Sequence, residues 1–150
     1  MKTTLIFSLL IATSSFALAQ DGLTKTMEKR AREMHRVIGL DSKAEWKNYI
    51  LENYSQSLID KPMRAVRDNG EGAAQNSSPE KSSDALEAKT TMFQMLHQDF
   101  GNSSILSIKT EAEKAIMVLQ NEQGMLGTFT LTFDKQAPYL IAGIGVEAGM

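Results

Sequence analysis

The sequence predicts an α+β fold in which helices come first and a sheet follows. Three observations carry this expectation. Apolar residues recur at helical spacing through the first two thirds of the chain, as in Leu23, Met27, Ala31, Met34 and Ile38. From Ser103 onward the period falls to two, and Thr128 to Phe133 alternates strictly between threonine and an apolar side chain. Turn signals at Asn121-Glu122-Gln123-Gly124 and Asp134 to Pro138 separate the alternating runs. A helical half followed by an antiparallel meander is the segregated pattern of an α+β fold, not of a wound parallel sheet.

Each element has its own warrant. The Leu23–Ile38 stripe makes one helix face, with Lys25, Lys29, Arg32 and Arg36 turned mainly elsewhere and Gly39 as a stop signal. Ser42-x-x-Glu45 is a capping box that opens a second helix, on which Trp46, Ile50 and Tyr54 fall four apart and Tyr49 joins their face. A third short helix is expected to hold Leu58, Ile59, Met63 and Val66. Pro62 then belongs in its first turn, where a missing amide hydrogen costs nothing. Residues 69–84 are rich in Gly, Ser, Asn and charge without an apolar face, and read as a flexible loop. Leu86, Lys89, Phe93, Leu96 and Phe100 mark a fourth helix ended by Gly101-Asn102; the Lys89 stem is expected to cover apolar surface while its charge reaches water.

Four strands are expected after this. Ile105 to Lys109 forms the first, despite the adjacent apolar pair Ile105-Leu106. Ala115 to Gln120 is apolar on both faces and so central. Thr128 to Phe133 puts Phe129, Leu131 and Phe133 on one face and three threonines on the other. Tyr139 to Val146 closes the sheet with Leu140, Ala142, Ile144 and Val146 on one face and Gly143 and Gly145 opposite.

The amino-terminal residues carry an address of their own. Lys2 supplies a positive end, Leu5 to Ala12 a mostly apolar stretch with Phe16 beyond it, and Ala17-Leu18-Ala19 fits the small-x-small cleavage rule. This predicts a signal peptide over residues 1–19, cleavage before Gln20, and a single α+β domain over residues 20–150. The apolar stretch is too short to cross a bilayer core of about 30 Å. The expected molecule is soluble, exported to the periplasm or secreted, and without a stable membrane anchor.

Composition excludes several chemistries. With no cysteine in 150 residues there is no disulfide, thiol nucleophile, thiolate metal site or lipidated amino-terminal cysteine. A net charge of −2 without a basic cluster argues against a nucleic-acid partner. There is no G-x-S-x-G elbow, no zinc spacing around His35 or His97, no Asp-rich calcium loop, and Gly143-x-Gly145 precedes no helix. His97-x-Asp99 does not make a natural pair, because helical residues two apart do not face each other. His35 sits on a charged helical stretch and is expected to be solvated. No catalytic residue, metal site or cofactor is therefore assigned.

The segment WKNYILENYS, the run MLHQDFG, the strands and the closing YLIAGIGVE resemble a domain found at the amino terminus of exported bacterial serine hydrolases. That domain is similar to the nuclear-transport-factor-2 (NTF2) and cystatin-like group. The resemblance covers most of Leu23 to Val146 and rests on packing patterns. It implies an NTF2/cystatin-like fold, helices packed on a curved four-stranded antiparallel sheet. It also implies a docking role without the neighbouring hydrolase's catalysis. The expected function is an exported non-enzymatic binding or docking domain that meets a second copy through the sheet, or an exported protein partner.

Two alternatives stay open. Trp46, Tyr49, Phe93, His97 and Phe129 would line the cavity of a small apolar-ligand carrier, although the same aromatics equally serve as core. An isomerase- or dehydratase-type enzyme on this fold would rely on His97 and Tyr49.

Overall fold

The computed structural model describes residues 12–62 and 82–149. Among these, helices α1 (Ala12–Ile38), α2 (Lys43–Asn53), α3 (Gln56–Asp60) and α4 (Ser82–Phe100) precede strands β1 (Ser103–Glu111), β2 (Lys114–Asn121), β3 (Leu126–Phe133) and β4 (Ile141–Gly149). The strands form one antiparallel meander in the order β1-β2-β3-β4. The coarse expectation, helices and a four-stranded antiparallel sheet, is what the chain adopts.

Local chemistry accounts for the helix ends. Ser42 is the N-cap of α2, and its hydroxyl accepts from the Glu45 amide at 3.4 Å. Ser55 repeats the device for α3, accepting from the Leu58 amide at 3.3 Å. At the end of α4 the Gly101 amide donates to the His97 carbonyl at 2.8 Å. α1 is continuous from Ala12 and runs through Ala19-Gln20.

The core lies between the helices and one face of the sheet. Met27, Ala31, Met34, Val37 and Ile38 of α1 are buried there, with Trp46, Tyr49 and Ile50 of α2 and Phe93, Leu96 and Phe100 of α4. The sheet contributes Ala115, Met117, Leu119, Phe129, Leu131 and Phe133. The register sets Ala115 beside Leu131 and Met117 beside Phe129 on this inner face. Ile116 beside Thr130 and Val118 beside Thr128 lie on the outer one. A slip of one residue would exchange the two sets, so burial itself fixes the register.

Two glycines are demanded by packing: Gly101, where an added Cβ would sit 2.5 Å from the His97 carbonyl oxygen, and Gly127. The Phe100 ring lies over Gly127, where an added Cβ would sit 2.5 Å from Cζ and 2.7 Å from Cε1 of that ring. Phe100 is itself buried and held edge-on against Phe129, ring centres 5.5 Å apart. Gly127→Ala is therefore expected to cost about 1–3 kcal/mol by overpacking. Urea denaturation checks this; an unchanged midpoint would mean that the ring moves aside freely.

The structure departs from the sequence reading at several points. The third helix ends at Asp60, and Pro62 follows it, since the residue before a proline is driven out of the helical region and Lys61 is extended (φ −74°, ψ 127°). Met63 and Val66 lie outside the described residues. So do residues 69–81 of the expected loop, whereas Ser82 to Asp84 already belong to α4, with Asp84 favourably placed in its first turn. Lys89 does not reach water: it is 4 % exposed, and its ammonium donates to the Lys61 carbonyl at 2.6 Å.

The first and last strands hold the other departures. β1 is longer than expected, and the Ile105-Leu106 doublet is resolved by an irregularity between Ile105 and Ser107 that leaves Leu106 53 % exposed. β4 starts at Ile141, not Tyr139; Tyr139 has a positive φ of 54° in the preceding turn. A second shift sets Ile141 beside Phe133 and Gly143 beside Thr132. Ala142 is skipped, so Ile141, and not Leu140 or Ala142, shares the inner face with Ile144 and Val146.

Candidate functional site

The five residues named for ligand binding fall into one neighbourhood and one outlier. Trp46, Tyr49 and Phe93 are buried where α2 crosses α4, with Tyr49 and Phe93 ring centres 5.6 Å apart. Phe129 is buried on β3 against Phe100 rather than beside them. His97 is half-buried at the edge of the cluster, its ring tilted against Trp46 at 5.8 Å.

Their polar atoms are committed to the main chain. The Trp46 indole N–H donates to the carbonyls of Val37 at 3.1 Å and Leu40 at 2.9 Å. The Tyr49 hydroxyl donates to the Arg30 carbonyl at 2.9 Å. His97 Nδ1 lies 2.8 Å from the Ile38 carbonyl. These bonds fasten α2 and α4 to the end of α1. Burial pushes the Tyr49 phenol far above its ordinary range, with the nearby Arg30 opposing and Glu33 adding to the rise, so it stays protonated at neutral pH.

A depression of about 290 Å³ borders His97, but it opens at the surface between the end of α4 and the β2–β3 turn, beside Asp99, Asn102 and Asn121. It does not enter the space between helix and sheet. His35, expected to be solvated, is instead half-buried, with Nε2 2.9 Å from the Ser103 carbonyl. It ties α1 to the start of β1.

Two groups escaped the sequence reading. The Tyr54 hydroxyl and Arg30 Nε are buried without a hydrogen-bond partner among the described residues. Tyr54 packs against Tyr49 and Phe93, and its phenol is pushed well above its ordinary range by burial and then by Tyr49. Arg30 donates to Asn53 Oδ1 and, at 2.9 Å, to the Pro138 carbonyl. The spacing from Trp46 and Ile50 marks the Tyr54 ring as apolar-facing, but no sequence signal marks its unpaired hydroxyl or Arg30, because each depends on contacts between distant segments.

The outer face of the sheet has no layer over it among the described residues. Ile116, Val118, Thr128, Thr130 and Thr132 alternate with the buried residues and are only partly covered on the outer face. Gly143 and Gly145 extend this face across β4. Charge elsewhere is spent locally: Arg32 pairs with Glu28 and Arg36 with Glu33 along α1, and Lys47 of α2 with Glu87 of α4. Such exposed pairs contribute little stability. Among the described residues, no cluster of three or more His, Asp or Glu is placed to hold a metal, and no helix is long and apolar enough to cross a membrane.

Compared with protein-family models, with curated proteins and with solved structures, the chain matches none.

Proposed function

We propose that the chain is an exported, non-enzymatic docking domain with an NTF2/cystatin-like arrangement, and that it works by joining a second copy through its sheet. The observation that carries this reading is the one-sided cover of the meander. The helices bury the Phe129, Leu131 and Phe133 face, while Ile116, Val118 and the threonine row on the other side keep no layer over them among the described residues. An antiparallel sheet can leave one face to water, and Ile116 and Val118 among the threonines give this face apolar area that a second copy would cover.

The same geometry weighs against the two alternatives. A carrier would have to displace Trp46, Tyr49, Phe93 and Phe129 from a core in which they are already packed and hydrogen-bonded. An acid–base enzyme would need an ionisable group facing an enclosed site; the Tyr49 hydroxyl is engaged with the Arg30 carbonyl, and His97, held through Nδ1, borders only an open surface depression. Export rests on the Lys2, apolar-stretch and Ala17-Leu18-Ala19 pattern.

Sedimentation velocity on the chain from Gln20 onward tests the docking role. A dimer at micromolar concentration is the expected result; a monomer there removes self-association. Recovery of the amino terminus from exported material tests the address, and a terminus at Met1 would remove it.

A further inference from the structure

Besides its outer face, the sheet offers a second surface for self-pairing, the edge of β4 that has no neighbouring strand among the described residues. At its start this strand is already occupied from the side. Tyr54 makes a parallel bridge to Ile141, and the Ser55 amide donates to the Ile141 carbonyl at 2.8 Å. After the skipped Ala142, residues 143–149 pair with β3 on one side and with no strand among the described residues on the other. Alternate N–H and C=O groups of that stretch point away from β3, a row of donors and acceptors that an inverted copy of itself would complement.

The two edges of the sheet differ in how they are guarded. β1 carries the irregularity at Leu106 and the charges of Lys109 and Glu111, devices that discourage strand addition. The β4 stretch, Gly143-Ile144-Gly145-Val146-Glu147-Ala148-Gly149, has no proline, no lysine and a single charge. Its midpoint is Val146, which is 38 % exposed although the register puts it beside the buried Phe129.

We infer that two copies join through this edge, antiparallel and about a two-fold axis at Val146, so that the two sheets become one. This rests on the self-association reading above and deepens it by moving the contact from the outer face to the edge of the sheet. The register follows from three facts. Centred on Val146, every residue from 143 to 149 finds a partner: Val146 faces Val146, Ile144 faces Ala148, and Glu147 faces Gly145. Centred on Glu147, two carboxylates would oppose each other, which destabilises a cross-strand pair. Centred on Gly145, Gly149 would fall opposite Ile141, whose carbonyl already accepts from Ser55. Only the Val146 register joins the strands without loss, and it covers the exposed valine.

A chain without cysteine makes the test direct. Facing residues of an antiparallel pair have Cα atoms about 4.5–5.5 Å apart, inside the disulfide span of about 4.4–6.8 Å. Val146→Cys is therefore expected to oxidise to a covalent dimer as the main product on a non-reducing gel. Thr130→Cys, in the middle of the outer face, is expected to remain uncrosslinked. Val146→Lys, which sets two ammonium groups at the axis while leaving a folded circular-dichroism spectrum, is expected to sediment as a monomer. The inference is overturned if Thr130→Cys crosslinks as readily as Val146→Cys, if neither crosslinks in a wild-type dimer, or if Val146→Lys stays dimeric. In each of those cases docking through the sheet survives; a monomeric wild-type chain ends both.

Discussion

Phe129→Ala is expected to lower the unfolding free energy by about 3–5 kcal/mol, the usual cost of emptying a buried aromatic site. Phe129 is fully buried at the centre of β3, beside Met117 in the register and edge-on to Phe100. Phe100 in turn covers Gly127, so removing the Phe129 ring also loosens the packing of the α4 end on β3. Native domains hold only about 5–15 kcal/mol in total, so the variant sits near the limit of folding. Urea denaturation should show a strongly lowered midpoint with the slope retained. A loss below about 1 kcal/mol would mean that the core does not centre on β3 and that the face assignment of the sheet is wrong.

Trp46→Ala should be comparably damaging, about 3–5 kcal/mol, for a different reason. The indole both fills the space between α1 and α4 and donates to two carbonyls at the end of α1. Val37 O keeps another donor, the Leu40 amide at 3.1 Å, whereas among the described residues no other bond to the Leu40 carbonyl accompanies that of the indole. Trp46→Phe separates the two contributions. It retains most of the bulk and loses the N–H, and should recover all but about 1–3 kcal/mol, the cost of a buried acceptor left unpaired. The His97 ring, tilted against Trp46, provides a local readout. Its imidazole NMR resonances should shift in both variants, and unmoved resonances would contradict the contact.

The sheet was more legible than the helical half, and the reason is physical. Alternation at period two reports burial directly, so the inner set Phe129, Leu131 and Phe133 was evident from residue order alone, while the unbroken apolar run of β2 marked it as an interior strand. Ser42 marked the start of α2 because a cap is a local interaction. The irregularities at Leu106 and Ala142 were not legible, since each depends on which residue of the neighbouring strand stands opposite. The same holds for His35 and Lys89, polar side chains whose acceptors lie far away in sequence, at Ser103 and Lys61. Of the candidate site, the aromatic residues were identifiable, but their role as packing was not. Sequence spacing gives the face of a helix, and only the crossing of α2 with α4 determines whether that face meets a space or another ring.

The Arg30 guanidinium spans Asn53 at the end of α2 and the Pro138 carbonyl ahead of β4, the latter 108 positions along the chain. Together with His35 on Ser103, it laces the first long helix to both ends of the meander. Each hairpin of that meander is a local structure, yet neither the sheet nor the helical layer can peel off while these ties hold. Opening should then be all-or-none: amide protons of Met117 and of Ile50, on opposite sides of the core, should exchange with deuterium through the same rare event and carry the same protection factor.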